Sequence, residues 1–220
     1  MSAQLNVLGP VELVGAPAPR RSQILNLLVY LALHRRGATR DVLATALWQT
    51  PVSAKTLRNR MNEARRLVDG AITDGPSWRL TDEVATDWQR FVALAAGSAE
   101  EQHEALRLIR GRPFEGLDCA EWLDLEGVRS HVEAAVVDLA FTVAVRELDN
   151  EDFRAAYLAA RAGLTASRYD RRLHGLAIRA AEAAGHIGLA RTLLTEMHAA
   201  LDSDDDADAF MQRERRRLSA

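Results

Sequence analysis

The stretch from Ser53 to Val68 constrains this chain most. At about 100° per residue, Leu57, Met61, Ala64 and Val68 fall on one stripe, the spacing of a helix with a single buried face. The opposite face carries Lys55, Asn59, Asn62 and Arg66, with Thr56 and Glu63 beside them. Arg58 and Arg65 share one shoulder and Arg60 takes the other. Amide and basic side chains facing outward, flanked by arginines, suit a helix in a DNA major groove, where amides and cations read base edges and arginines hold phosphates. A solvated basic surface helix has the same pattern, so the flanking sequence has to distinguish the two.

That sequence divides by charge. Residues 1–96 hold 12 Lys/Arg against 8 Asp/Glu, whereas residues 97–220 hold 16 against 23. A basic half joined to an acidic half fits a DNA-reading module with a second function attached, and an overall pI near 6.1 argues against a non-specific polycation. One cysteine, Cys119, excludes an internal disulfide and points to a reducing cytoplasm. The start lacks the pattern of a signal peptide. The longest apolar run, Ile24 to Leu33, is interrupted by Asn26 and is far shorter than the roughly 20 residues of a membrane span, so no membrane association is expected for the chain as given.

Taken in order, Leu5 to Val14 alternates around Gly9-Pro10 and predicts a hairpin. Arg21 to Arg36 has helical spacing and ends in His34-Arg-Arg-Gly37, a C-terminal signal. Thr39 caps a second helix, Gln49-Thr-Pro51-Val forms a loop, and Ser53 caps the third. Asp69-Gly70 and Asp74-Gly75-Pro76 flank Ala71–Thr73 and Trp78–Leu80, which reads as a second hairpin with Trp78 packed and Arg79 free to reach a phosphate or a minor groove. Strands, three helices and a hairpin make a winged helix.

The residues Leu5–Gly9, His34-Arg-Arg-Gly37, Leu43-x3-Leu47-Trp48, Leu57-x3-Met61-x2-Ala64-Arg-Arg-Leu67, Trp78-Arg-Leu80 and Thr86-Asp87-x3-Phe91 together resemble the Streptomyces antibiotic regulatory proteins. That resemblance implies a response-regulator-type winged helix followed by a bacterial transcriptional activator domain. Leu106 to Gly116, followed by Glu121-Trp122, resembles the opening of that second domain. Helices are predicted over 99–110, 119–148, 152–166, 171–184 and 188–201. Phe153 and Ala156 recur 34 residues later as Ile187 and Ala190, the tetratricopeptide period.

The expected fold is therefore mainly α with a small β-sheet: a winged helix-turn-helix over 1–96, a tetratricopeptide-like all-α domain over 97–201, and a charged tail over 202–220 with a short terminal helix carrying Phe210, Met211 and Leu218.

Enzymatic motifs are missing. Asp202, Asp204 and Asp206 imitate a calcium loop, but Ala207 and Arg213 occupy its obligatory positions. Gly111 and Gly116 have P-loop spacing without the following Lys-Ser/Thr, and the six histidines show no metal-ligand spacing. No enzyme activity, cofactor or metal is expected.

The function expected is that of a sequence-specific regulator bound to double-stranded promoter DNA, with RNA polymerase or a second protomer as protein partner. Lys55, Asn59 and Asn62 would face bases, and Arg58, Arg65, Arg66, Arg35 and Arg79 would hold phosphates. Glu63 motivates an alternative. A carboxylate stands where regulators of this kind commonly carry a basic residue, which looks closer to the copy of these domains at the C-terminus of larger actinobacterial membrane proteins. On that reading the chain is a non-enzymatic interaction module, a fragment of a larger anchored protein, and its winged helix no longer reads DNA.

Overall fold

The computed structural model describes residues 3–201 apart from 18, 20, 21, 49 and 50. The calcium-like run and the terminal helix expected in the tail, the Arg21 helix start and the first two residues of the Gln49-Thr-Pro51-Val loop lie outside these residues. The chain forms two compact units, Met1–Ala93 with Arg110–His131, and Leu94–Ile109 with Val132–Ala220. The strip 110–131, placed by the sequence in the second domain, thus packs in the first unit.

In the first unit, β1 (Gln4–Asn6) pairs antiparallel with β2 (Glu12–Val14), Leu5 opposite Leu13. On its other edge β1 pairs in parallel with β5 (Ala85–Thr86), giving the order β2-β1-β5. The predicted hairpin is therefore two-thirds of a sheet closed by a strand some 80 residues away. Asp87, first residue of α4 (Asp87–Ala95), fixes this closure: its carboxylate accepts from the backbone N–H groups of Val7 at 2.7 Å and Leu8 at 3.0 Å. Burial pushes the Asp87 carboxyl up, while those N–H groups and the Arg110 guanidinium pull the other way.

Helix α1 (Ser22–Leu33) is buried from Asn26 to Ala32, which explains its nearly continuous apolar sequence. Asn26 interrupts that run for a reason. Its amide donates to the Cys119 carbonyl at 2.6 Å, and its oxygen accepts the indole N–H of Trp122 at 2.8 Å. Gly37, which ends this segment at φ +85°, sits where a Cβ would lie 2.8 Å from the Trp78 carbonyl oxygen. That close approach aligns β3 (Ala38–Thr39) with β4 (Ser77–Trp78), antiparallel, Ala38 opposite Trp78. The second predicted hairpin forms through the Ile72–Leu80 bridge and the Thr73 N–H to Arg79 carbonyl bond of 2.9 Å, and Trp78 is half-buried. Thr39 caps α2 (Arg40–Leu47) and Ser53 caps α3 (Ala54–Leu67), the latter accepting from Thr56 N–H at 3.1 Å.

The strip 110–131 follows the loop between β1 and β2. Arg110 N–H donates to Leu8, Phe114 N–H to Val7 and Glu115 N–H to Gly9, while Val11 N–H returns to Glu115. The helix expected over 119–148 is two: α6 (Trp122–Leu125) and α7 (Val128–Asp149), broken at Gly127 with φ +68°. Periodicity alone misses this break because Glu126-Gly127 is flanked on both sides by helix-compatible residues.

The second unit is helical: α5 (Ala99–Arg107), most of α7, α8 (Phe153–Ala166), α9 (Arg171–Ala183) and α10 (Ile187–Leu201). Ser98 and Glu101 form a capping box on α5, and Asp152 and Asp170 cap α8 and α9. α8 packs on α9 and α9 on α10. The 34-residue recurrence is the start of α8 repeated at the start of α10, with Ala156 and Ala190 both fully buried. Small residues let the helices approach: a Cβ on Gly163 would stand 2.6 Å from that of Ala140 and 2.5 Å from Leu173 Cδ1.

His174, buried in the first turn of α9, faces the Arg168 carbonyl through Nε2 at 2.9 Å. Burial lowers its pKa below the ordinary 6.5, and the nearby Arg161 acts in the same sense. A depressed imidazole pKa stabilises the fold above the unfolded value and loses that contribution as pH falls towards the folded one. The helical unit is therefore expected to lose stability below about pH 6.5, in urea titrations followed by circular dichroism. His174→Leu should flatten that dependence; an equally steep loss in the variant would assign it elsewhere.

Candidate nucleic-acid interface

The α3 helix has its apolar stripe inside: Leu57, Met61, Ala64 and, just past its end, Val68 are at most 2% exposed. Burying one stripe forces the opposite one outward. Lys55, Arg58, Asn59, Asn62 and Arg66 are all exposed, and none makes a hydrogen bond or ion pair among the described residues. Arg79 is exposed immediately after β4.

The other two residues singled out by the sequence are differently placed. Arg65 is half-buried and forked onto the wing: Nε donates to the Ile72 carbonyl at 3.1 Å, Nη2 to Thr73 at 3.5 Å, and Nη1 to the Asp74 carboxylate at 3.4 Å. The Arg65 guanidinium in turn holds the Asp74 carboxyl below its usual range. Arg35, in the turn after α1, is paired with Asp82. Either arginine would reach a phosphate only by releasing these partners. Asp74 and Asp82 are the residues that sequence reasoning overlooked, since each reads as a turn residue and their pairing with cations of other elements leaves no periodic signal.

Glu63 is not a free carboxylate. It lies 3.5 Å from Arg60 Nη1, one helical turn away, and both side chains are partly covered. The negative charge on this face is thereby offset from within the helix.

Since Arg65 ties α3 to the wing, Arg65→Ala is expected to loosen the wing by about 1–2 kcal/mol. Faster amide exchange at Thr73 and Thr81, whose N–H groups bond Arg79 and Ala71, would report it. Unchanged protection there would deny Arg65 this bracing role.

The described residues contain no group of three His, Cys, Asp or Glu placed to hold a metal ion. No described helix is long and apolar enough to cross a membrane.

One fold matches. The solved structure of Mycobacterium tuberculosis EmbR, in complex with a low-affinity phosphopeptide, superposes with a TM-score of 0.61 over 98% of this chain. Identity is 22%, so the likeness is one of fold: a winged helix with an all-α unit, as the resemblance to the antibiotic regulatory proteins implies. The chain spans 65% of the length of that EmbR chain. No family profile and no curated protein matches the sequence.

Proposed function

We propose that the chain is a sequence-specific DNA-binding transcriptional regulator. The observation that carries this reading is the outward face of α3, where Lys55, Arg58, Asn59, Asn62 and Arg66 stand exposed with no partner among the described residues. Polar side chains left unpaired on a rigid helix are ready to exchange water for base edges and phosphates. Lys55, Asn59 and Asn62 face bases, Arg58, Arg66 and Arg79 hold phosphates, and Arg65 and Arg35 join them where the DNA displaces Asp74 and Asp82. The all-α unit supplies contacts to a protein partner, RNA polymerase or a second protomer. The Arg60–Glu63 pair supports this reading over that of a winged helix without DNA, because it removes the uncompensated carboxylate on which that alternative rests.

Titrating the chain onto promoter-derived and scrambled duplexes at about 0.1–0.2 M salt tests the proposal, since a site preference surviving there reflects base readout and not charge alone. Equal affinity for both duplexes would remove the regulator reading and leave a scaffold.

A further inference from the structure

Glu63 is the one carboxylate in α3, set among amides and cations. It follows Asn62 directly and lies about 40° round the helix from Asn59, on the outward half. Its Oε2 faces Arg60 Nη1 at 3.5 Å, and its Oε1 has no hydrogen bond among the described residues. Both side chains are mostly covered, Glu63 31% exposed and Arg60 19%, which limits the positions the carboxylate can take. A carboxylate paired to arginine carries no net charge towards a phosphate. Its second oxygen still accepts a hydrogen bond, and a carboxylate can only accept.

The four bases differ on that point. In the major groove guanine presents the acceptors N7 and O6, and thymine the acceptor O4 beside a methyl group. Adenine sets the acceptor N7 next to its N6 amino group. Cytosine alone offers an amino group, N4, with no acceptor of its own beside it. A fixed acceptor on the groove face therefore favours cytosine and is repelled by guanine and thymine. We propose that Glu63 selects cytosine at one position of the site read by α3. Arg60 is the positioning residue that holds the carboxylate and cancels its charge. The proposal rests on the reading of α3 as the DNA-facing helix, and adds to it the base that one side chain prefers.

The test binds the full chain to a pool of duplexes with a randomised core, at about 0.1–0.2 M salt, and sequences the bound fraction. The enriched motif is expected to hold a position where cytosine dominates. Glu63→Gln should move that position alone to adenine, whose N6 and N7 suit an amide, and Glu63→Arg should move it to guanine, whose O6 and N7 accept from a guanidinium. On the enriched duplex, thymine in place of that cytosine should weaken the unmodified chain about tenfold or more and the Glu63→Gln variant hardly at all. Arg60→Met keeps the covered stem and removes the charge, so it should weaken every duplex; adding Glu63→Gln should restore the affinity. Neither substitution at Glu63 should shift the urea midpoint read by tryptophan fluorescence. A motif unchanged by Glu63→Gln, or one whose positions all weaken together, overturns the inference and leaves base reading to Asn59 and Asn62. The absence of any enriched motif for the unmodified chain removes the regulator reading, and this inference with it.

Discussion

Asn59→Ala is expected to cost about 1–3 kcal/mol on the preferred duplex and almost nothing on a scrambled one. Arg58→Ala should do the opposite, weakening all sequences alike. The difference follows from what each side chain can offer. An amide on the exposed face of α3 can donate to and accept from one adenine edge, a pairing that the wrong base does not complete. The Arg58 guanidinium on the shoulder meets a phosphate, which is the same at every step and is neutralised with release of a counterion. The slope of log K against log salt should therefore fall by about one for Arg58→Ala and stay nearly unchanged for Asn59→Ala. Both positions are exposed and contribute nothing to the core, so folding should be untouched. Glu63→Arg should raise affinity for every duplex, since it replaces the carboxylate paired to Arg60 with a cation. If Asn59→Ala shifts specific and non-specific binding equally, α3 does not lie in the groove as proposed.

Asp87→Ala is expected to destabilise the first unit by roughly 2–5 kcal/mol, the largest effect foreseen for a single side chain here. Asp87 is 2% exposed, and its carboxylate serves two buried backbone N–H groups at once, those of Val7 and Leu8. Alanine leaves both donors without a partner in a site too closed for water to reach easily. It also removes the counter-charge of Arg110, 3.6 Å away. Measurement is simple because all four tryptophans, Trp48, Trp78, Trp88 and Trp122, belong to the first unit. Urea unfolding read by tryptophan fluorescence should show the loss, while circular dichroism, dominated by the second unit's longer helices, should show a second transition that moves little. Asp87→Asn keeps one acceptor and should fall between. A change under about 1 kcal/mol for Asp87→Ala would mean that β1 and the 110–131 strip hold Val7 and Leu8 without it.

Local pattern alone determined most of the elements in this protein. The stripe Leu57, Met61, Ala64 and Val68 fixes which face of α3 is buried, and so which side chains point outward, because a helix has one period and a charged face cannot go inside. Thr39 and Ser53 cap the helices they precede, and the 34-residue recurrence marks the starts of α8 and α10. These signals are short-range, resting on neighbours within a turn or on a fixed repeat. Tertiary structure alone decided the rest. β5 joins β1 across some 80 residues, Asp87 finds its donors on Val7 and Leu8, and the 110–131 strip leaves the helical domain to pack along the first sheet. Asn26 looks like a flaw in an apolar helix until Trp122 is seen bonded to it. Arg65 and Arg35 read as exposed cations, and only the folded structure shows Asp74 and Asp82 paired with them. In each case the partner is distant in sequence and belongs to another element, and no periodicity encodes which two polar groups will meet once the apolar surfaces have closed.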